Sequence, residues 1–142
     1  MTFWYTEPMT WWMAMPKEMP RTLEAALKEA RRLADAGNVA ARAFLTSGFH
    51  DERGQYVARL LDTPWCNGAV WSINSSPGIA GEITDWSQKF GPAAREQRYG
   101  PQSKGTLDGE YIDSSEGYVT DELDFRREHL AAARWPLTFA TD

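Results

Sequence analysis

The chain has 142 residues and a formal net charge of −5, with 42% hydrophobic and 25% charged residues. These values are typical of a globular domain and exclude an intrinsically disordered chain. The acidic balance disfavours a nucleic acid partner, because phosphates are repelled by a negative surface. Cys66 is the single cysteine, which excludes an internal disulfide. No apolar run approaches the roughly 20 residues of a membrane span, so we expect no membrane partner either.

The first third of the chain predicts one strand and two helices. Residues 3–7 are β-prone and are followed by a proline, which predicts a short strand. Residues 9–20 are punctuated by prolines and are predicted to form a loop. From Thr22 onward, leucine and alanine recur at helical spacing, which predicts a helix over 22–36 with Thr22 as its N-cap. A second, shorter helix is predicted over 38–45.

The middle of the chain predicts two strands and then two helical stretches. Residues 55–61 and 68–73 are apolar runs bounded by turn residues, which is typical of strands. A weaker helical stretch begins at Asp85. Pro92 suits the first position of a helix, so a further helix is predicted over 92–99.

The last third predicts a strand, a helix and another strand. The first strand covers 107–114. Thr120 or Asp121 is predicted to cap a helix that Pro136 ends, and a strand is predicted over 136–140. Strands that alternate with helices favour an α/β fold of parallel βα units. No linker divides the chain, so we expect residues 1–142 to form a single α/β segment that begins and ends in mid-pattern.

The predicted strand ends locate the candidate chemistry. In parallel α/β folds, functional side chains lie at the carboxyl ends of the strands. Here these positions hold Glu7, Asn74 and Asp113, with Glu116 just beyond. Side chains alternate along a strand, which places Asp113 on the same face as Tyr111.

Paired carboxylates are the working groups of glycoside hydrolysis. One carboxyl group donates a proton to the leaving oxygen, and the other acts as a nucleophile or activates water. Glu7, Asp113 and Glu116 are therefore the candidate catalytic residues. The structural alternative is that acidic residues at strand ends cap helices or bind backbone amides.

The aromatic content allows two interpretations. Seven Trp, five Tyr and six Phe are present. They could form the core of a small domain, or they could line a cleft in which sugar rings pack on flat aromatic faces. Besides the carboxylates, the candidate substrate-binding residues are Trp4, Trp11, Trp12, Trp71, Asn74 and Tyr111.

The sequence predicts neither a metal nor a cofactor. His50, Asp51 and Glu52 are consecutive, which is a poor geometry for ligating one ion. His129, the other histidine, falls in the predicted last helix, where solvent and the helix dipole explain it. The chain contains no phosphate-binding loop, nucleophile elbow or dinucleotide fingerprint.

Two stretches resemble a known group of proteins. The run from Asp108 to His129, which includes Tyr-Ile-Asp-Ser, and the Pro-Leu-Thr-Phe of 136–139 resemble a segment of large, mostly uncharacterised bacterial (β/α)8-barrel proteins that look like glycoside hydrolases. Thr6-Glu7-Pro8 is similar to the Asn-Glu-Pro signature of barrel glycosidases, with Thr6 in place of the asparagine. In that signature the glutamate is the acid/base.

The resemblance implies a partial barrel and a carbohydrate ligand. A complete barrel takes about 250 residues, so the chain would be a fragment, or a half-barrel that pairs with a second chain. In a glycosidase-type segment, Glu7 or Glu116 is the general acid and Asp113 the nucleophile or base. The alternative is a non-catalytic carbohydrate-binding or interaction module that uses exposed tryptophans. A third interpretation is an unrelated α/β domain whose tryptophans are buried.

Overall fold

The computed structural model describes residues 1–64, 66–113 and 123–132, which form a mixed α/β fold. In chain order the elements are β1 (Phe3–Thr6), β2 (Thr10–Ala14), α1 (Leu23–Asp35), α2 (Val39–Ser47), β3 (Ala58–Asp62), β4 (Asn67–Ser72), α3 (Asp85–Lys89), α4 (Pro92–Tyr99), β5 (Gly109–Ile112) and α5 (Arg127–Leu130). The predicted α/β class is confirmed. In this described part of the chain, no helix has the length and apolar character to cross a membrane.

The larger sheet is antiparallel, with strand order β2–β4–β3. Its central strand, β4, approaches β2 so closely at Gly68 that a Cβ there would lie 1.9 Å from the Met13 carbonyl oxygen. Because the strands of this sheet are antiparallel, the prediction of parallel βα units is wrong for it. The predicted loop over 9–20 is also wrong, because β2 lies within it. The prolines that favoured a loop flank the β-prone run Thr10–Ala14 without interrupting it.

The core lies between this sheet and the helices α1 and α2. The Phe44 ring is fully buried, with its centroid 4.4 Å from that of Trp71 and 4.8 Å from that of Tyr56. Ala26 and Ala30 of α1 are completely buried in the same cluster, so the predicted apolar stripe faces the core. Both predicted helices are confirmed, and α1 has the predicted Thr22 cap.

The smaller sheet consists of β1 and β5, which pair in parallel from Phe3 opposite Gly109 to Thr6 opposite Ile112. These are the two strands whose carboxyl ends hold Glu7 and Asp113. The strands of residues 1–64, 66–113 and 123–132 form two separate sheets rather than a closed barrel.

The last described segment, 123–132, differs from its prediction. A helix was predicted to begin at Thr120 or Asp121, but residues 123–126 are not helical and α5 is a single turn. His129 is 4% exposed, so its prediction as a solvated residue is wrong. The rest of the predicted helix, the strand over 136–140 and Glu116 lie outside the described residues.

Candidate functional site

Glu7 and Asp113 lie together at one end of the β1–β5 pair. The strands are parallel and in register, so the residues that follow them emerge side by side. The Asp113 amide donates to the Thr6 carbonyl at 3.0 Å, which extends the ladder by one residue. Two carboxylates that are distant in sequence are thereby adjacent in space, as the strand-end rule predicts.

The Tyr5 hydroxyl connects the two carboxylates. Its oxygen lies 2.5 Å from Glu7 Oε1 and 2.8 Å from Asp113 Oδ2. The distance between Glu7 Oε1 and Asp113 Oδ2 therefore cannot exceed the sum of these two hydrogen-bond distances. The bond to Glu7, and then the bond to Asp113, raise the pKa of Tyr5 well above its ordinary value, because both carboxylates accept from the protonated phenol.

Glu7 is held in its charged form. Its second oxygen, Oε2, accepts from Thr10 Oγ1 at 2.9 Å and from Trp12 Nε1 at 2.5 Å. Partial burial alone raises the pKa of Glu7, but the donors Tyr5, Trp12 and Thr10 together bring that pKa below its ordinary value. At neutral pH this side chain is a carboxylate that accepts hydrogen bonds.

A buried ion pair supports the turn that carries Glu7. Lys89 Nζ donates to the carbonyl oxygens of Glu7 at 2.8 Å and Thr10 at 2.9 Å, and pairs with Asp85 at 3.0 Å. Asp85 is 1% exposed and also accepts from the Ser75 hydroxyl at 2.6 Å. Burial raises the pKa of Asp85, while Lys89 and Ser75 oppose that rise. Asp85 and Lys89 were not predicted as supporting residues, although residues four apart on a helix can form an ion pair.

An exposed strip of aromatic rings leads to the carboxylates. Phe3, Tyr5 and Tyr111 share one face of the β1–β5 pair and are 51%, 54% and 57% exposed. The rings of Tyr5 and Tyr111 are nearly parallel, with an angle of 17° and a centroid distance of 5.8 Å. These three residues are called the aromatic strip below. The strip and the carboxylate pair share one face because all five residues alternate in phase along their strands.

The other candidate residues are distributed over the molecule. Trp4 projects from the opposite face of β1, where Arg98 lies over its ring. Trp11 packs on Phe44, and Trp71 is fully buried, so the structure places both in the core. Trp12 acts as a donor to Glu7. The Asn74 side chain donates to Asp124.

Comparisons with known proteins supply no relative: no family model matches the chain, and no curated protein or solved structure matches it.

Proposed function

We propose that the aromatic strip and the carboxylates of Glu7 and Asp113 form a carbohydrate-binding site. One observation carries this proposal: two nearly parallel, half-exposed tyrosine rings adjoin a pair of carboxylates on the same face. Sugar rings offer apolar C–H faces together with hydroxyl groups, so they can pack against exposed aromatic rings while their hydroxyls bond the neighbouring carboxylates.

The carboxylates supply the directional part of this recognition. A charged carboxylate accepts shorter and stronger hydrogen bonds than a neutral acceptor does. The pKa of Glu7 is lowered, so the group stays charged and retains acceptor capacity for sugar hydroxyls. The donors Thr10 and Trp12 fix the orientation of Glu7, so less side-chain entropy is lost when a ligand binds.

Glycoside hydrolysis is the second candidate, and the closeness of the two carboxylates favours it. Retaining glycosidases place their catalytic carboxyl groups about 5–5.5 Å apart. The shared bond to Tyr5 keeps Glu7 and Asp113 within that separation. A general acid needs a raised pKa, whereas that of Glu7 is lowered. In this candidate Glu7 is the nucleophile or charge stabiliser, and Asp113 is the second carboxyl group of the pair.

The hydrolytic candidate includes a proposal about architecture. A two-stranded sheet is seldom stable alone, and parallel sheets are normally covered on both faces. The β1–β5 pair would then be part of a (β/α)8 barrel whose remaining strands come from a second chain or a missing barrel half. The carboxylates would lie at the carboxyl end of that barrel, where such enzymes hold their active sites.

Isothermal titration calorimetry with cellohexaose, xylohexaose, maltohexaose and chitohexaose tests the binding proposal. We expect at least one oligosaccharide to bind, and Tyr111→Ala to weaken its binding roughly tenfold through loss of ring contact. Ile112→Ala is the matched control, because Ile112 is 53% exposed on the opposite face of β5. Failure of every sugar to bind, or an equal loss in both variants, would overturn the proposal.

An Asp113→Asn variant separates binding from hydrolysis. In a binding module this isosteric change leaves most of the affinity, because the amide oxygen still accepts a hydrogen bond. In a hydrolase it abolishes the release of reducing ends from the same oligosaccharide, since the amide is neither a proton donor nor a nucleophile. Wild-type protein that binds sugar and releases no reducing ends would exclude hydrolysis by this chain alone.

A further inference from the structure

A separate cavity of about 400 Å³ opens at the other end of the β1–β5 pair. It is bounded by the start of both strands, by α4 and by the loop over 100–107, and its lining includes Trp4, Arg98 and Lys104. Trp4 projects from the face opposite the aromatic strip. This volume falls in the range of pockets that hold small molecules, about 300–1,000 Å³.

Arg98 is a positioned cation in this cavity. Its side chain is 7% exposed, and its Nη1 donates to Glu110 Oε1 at 2.9 Å. Its Cζ lies 4.9 Å from the centroid of the Trp4 ring, which is a cation–π contact. Within the described residues no acceptor engages its other N–H groups. The guanidinium is therefore fixed in place, and its other N–H groups are available to a ligand.

Lys104 gives the cavity its positive charge. It is exposed on the loop, and no ion pair joins it to any residue of 1–64, 66–113 or 123–132. None of the residues that line the cavity is acidic. Arg98 and Glu110 neutralise each other, so Lys104 leaves an excess positive charge on a protein whose net charge is −5. Such a site attracts an anion.

Trp4 gives the cavity a flat apolar wall. The residue is 45% exposed, although Arg98 lies over its ring. Three uncharged polar side chains, those of Gln97, Gln102 and Thr106, complete this part of the lining. An indole face combined with amide and hydroxyl groups suits a ring that carries polar substituents.

We infer that the cavity binds a small cyclic carboxylate, with its ring against Trp4 and its carboxylate between Arg98 and Lys104. A guanidinium presents paired N–H groups that match the two oxygens of a carboxylate, and the ammonium of lysine adds a point charge. Because Arg98 is already ordered by Glu110 and Trp4, little side-chain entropy is lost on binding. This site is independent of the carbohydrate site proposed at Glu7 and Asp113.

Calorimetric titration of the full chain with two matched pairs tests this inference. Glucuronate is compared with glucose, and benzoate with benzamide, so that each pair differs mainly in charge. Acetate is the carboxylate without a ring. We expect glucuronate or benzoate to bind at least tenfold more tightly than its neutral counterpart and than acetate. The better of the two identifies the ring as a sugar or an aromatic.

A Lys104→Gln variant tests the assigned residue. The side chain is exposed on a loop, so the variant should melt like the wild type, and its affinity for the preferred carboxylate should fall roughly tenfold. Lys17→Gln, at an exposed lysine outside the cavity, is the control and should bind normally. The inference would be overturned if neither carboxylate bound, or if each bound no more tightly than its neutral counterpart or than acetate. An unchanged affinity in Lys104→Gln would overturn it as well.

Discussion

The hydroxyl oxygen of Tyr5 lies 2.8 Å from Asp113 Oδ2, although 108 residues separate the two in sequence. The same hydroxyl also reaches Glu7, so one phenol stabilises two neighbouring carboxylates. Two like charges at this separation repel each other, and a shared hydrogen-bond donor lowers the cost of holding both. Tyr5 is therefore expected to stabilise the charged form of Glu7.

Removing this hydroxyl should raise the pKa of Glu7. In Tyr5→Phe, Glu7 loses one of the three donors that lower its pKa, while repulsion from Asp113 remains. The carboxyl ¹³C chemical shift of Glu7, followed through a pH titration, measures the change. Tyr99→Phe is the control, because that hydroxyl lies 3.3 Å from Glu110 instead. An unchanged Glu7 titration in Tyr5→Phe would contradict the bridging role.

Glu7 should also contribute to the acid sensitivity of the fold. The pKa of Glu7 in the folded chain is below its ordinary value of 4.5, so the unfolded chain takes up this proton first as pH falls. Its stabilising contribution is complete above that ordinary value and is lost as pH falls through the folded pKa. Urea unfolding at pH 7 and pH 3 should therefore show a smaller loss of stability in Glu7→Gln than in the wild type.

Glu18→Gln is the control for that experiment, because Glu18 is exposed and has no hydrogen-bond or ion-pair partner among the described residues. This variant should lose as much stability as the wild type between the two pH values. A Glu7→Gln variant with the full wild-type loss would show that the donors around Glu7 do not stabilise its charged form.

The ion pair of Asp85 and Lys89 should be important for stability. Asp85→Ala leaves the ammonium of Lys89, whose side chain is 17% exposed, without its carboxylate. Removing one partner of a buried pair typically lowers the free energy of unfolding by about 3–5 kcal/mol. The pair formed by Arg42 and Glu82 is exposed, so Glu82→Ala should cost about 1 kcal/mol or less. Similar urea midpoints for the two variants would contradict this ranking.

The close approach of β2 and β4 should make Gly68 intolerant of a side chain. In Gly68→Ala, the new Cβ would meet the Met13 carbonyl oxygen, and the two strands would have to separate. Overpacking of this kind costs about 1–3 kcal/mol, which thermal or urea unfolding measures. Gly105→Ala is the control, because a Cβ at Gly105 meets no atom within 4 Å. An equally stable Gly68→Ala variant would contradict so close an approach of β2 and β4.

Local sequence rules predicted the parts of the site that depend on one strand at a time. The alternation of side chains placed Asp113 on the face of Tyr111, and the strand-end rule selected Glu7 and Asp113. The parallel pairing of β1 and β5 brings these two carboxylates together. The sequence could not show that Tyr5 connects the carboxylates, because a contact between distant strands depends on their register.

Burial of the tryptophans depends on packing between distant elements, which no local pattern specifies. Trp11 and Trp12 are adjacent in sequence, yet Trp11 packs on Phe44 whereas Trp12 donates to Glu7. The pairing of β2 with β4 decides which of the two faces the core. The same pairing explains why residues 9–20 contain a strand, although their prolines are typical of a loop.

Asp124 illustrates the same limit, because a residue predicted within a helix instead forms the centre of a tertiary contact. It accepts from Asn74 at 2.9 Å and lies 2.7 Å from His129 Nδ1, while His129 Nε2 lies 3.0 Å from the Thr46 carbonyl oxygen. Burial raises the pKa of Asp124, but the bonds from His129 and Asn74 bring it below its ordinary value. These bonds attach the segment 123–132 to α2 and to the end of β4.

An Asp124→Ala variant should therefore release that segment while the core remains folded. Loss of hydrogen bonds to a buried histidine and a half-buried amide typically costs about 1–3 kcal/mol, so local opening should become easier by that amount. Amide hydrogen exchange should accelerate at His129 and Ala132, whose amides donate within the segment, and stay slow at Val70 of β4. Asp62→Ala, at an exposed aspartate of β3, should leave both regions unchanged. Faster exchange at Val70 as well would show that Asp124 stabilises the whole fold rather than this one attachment.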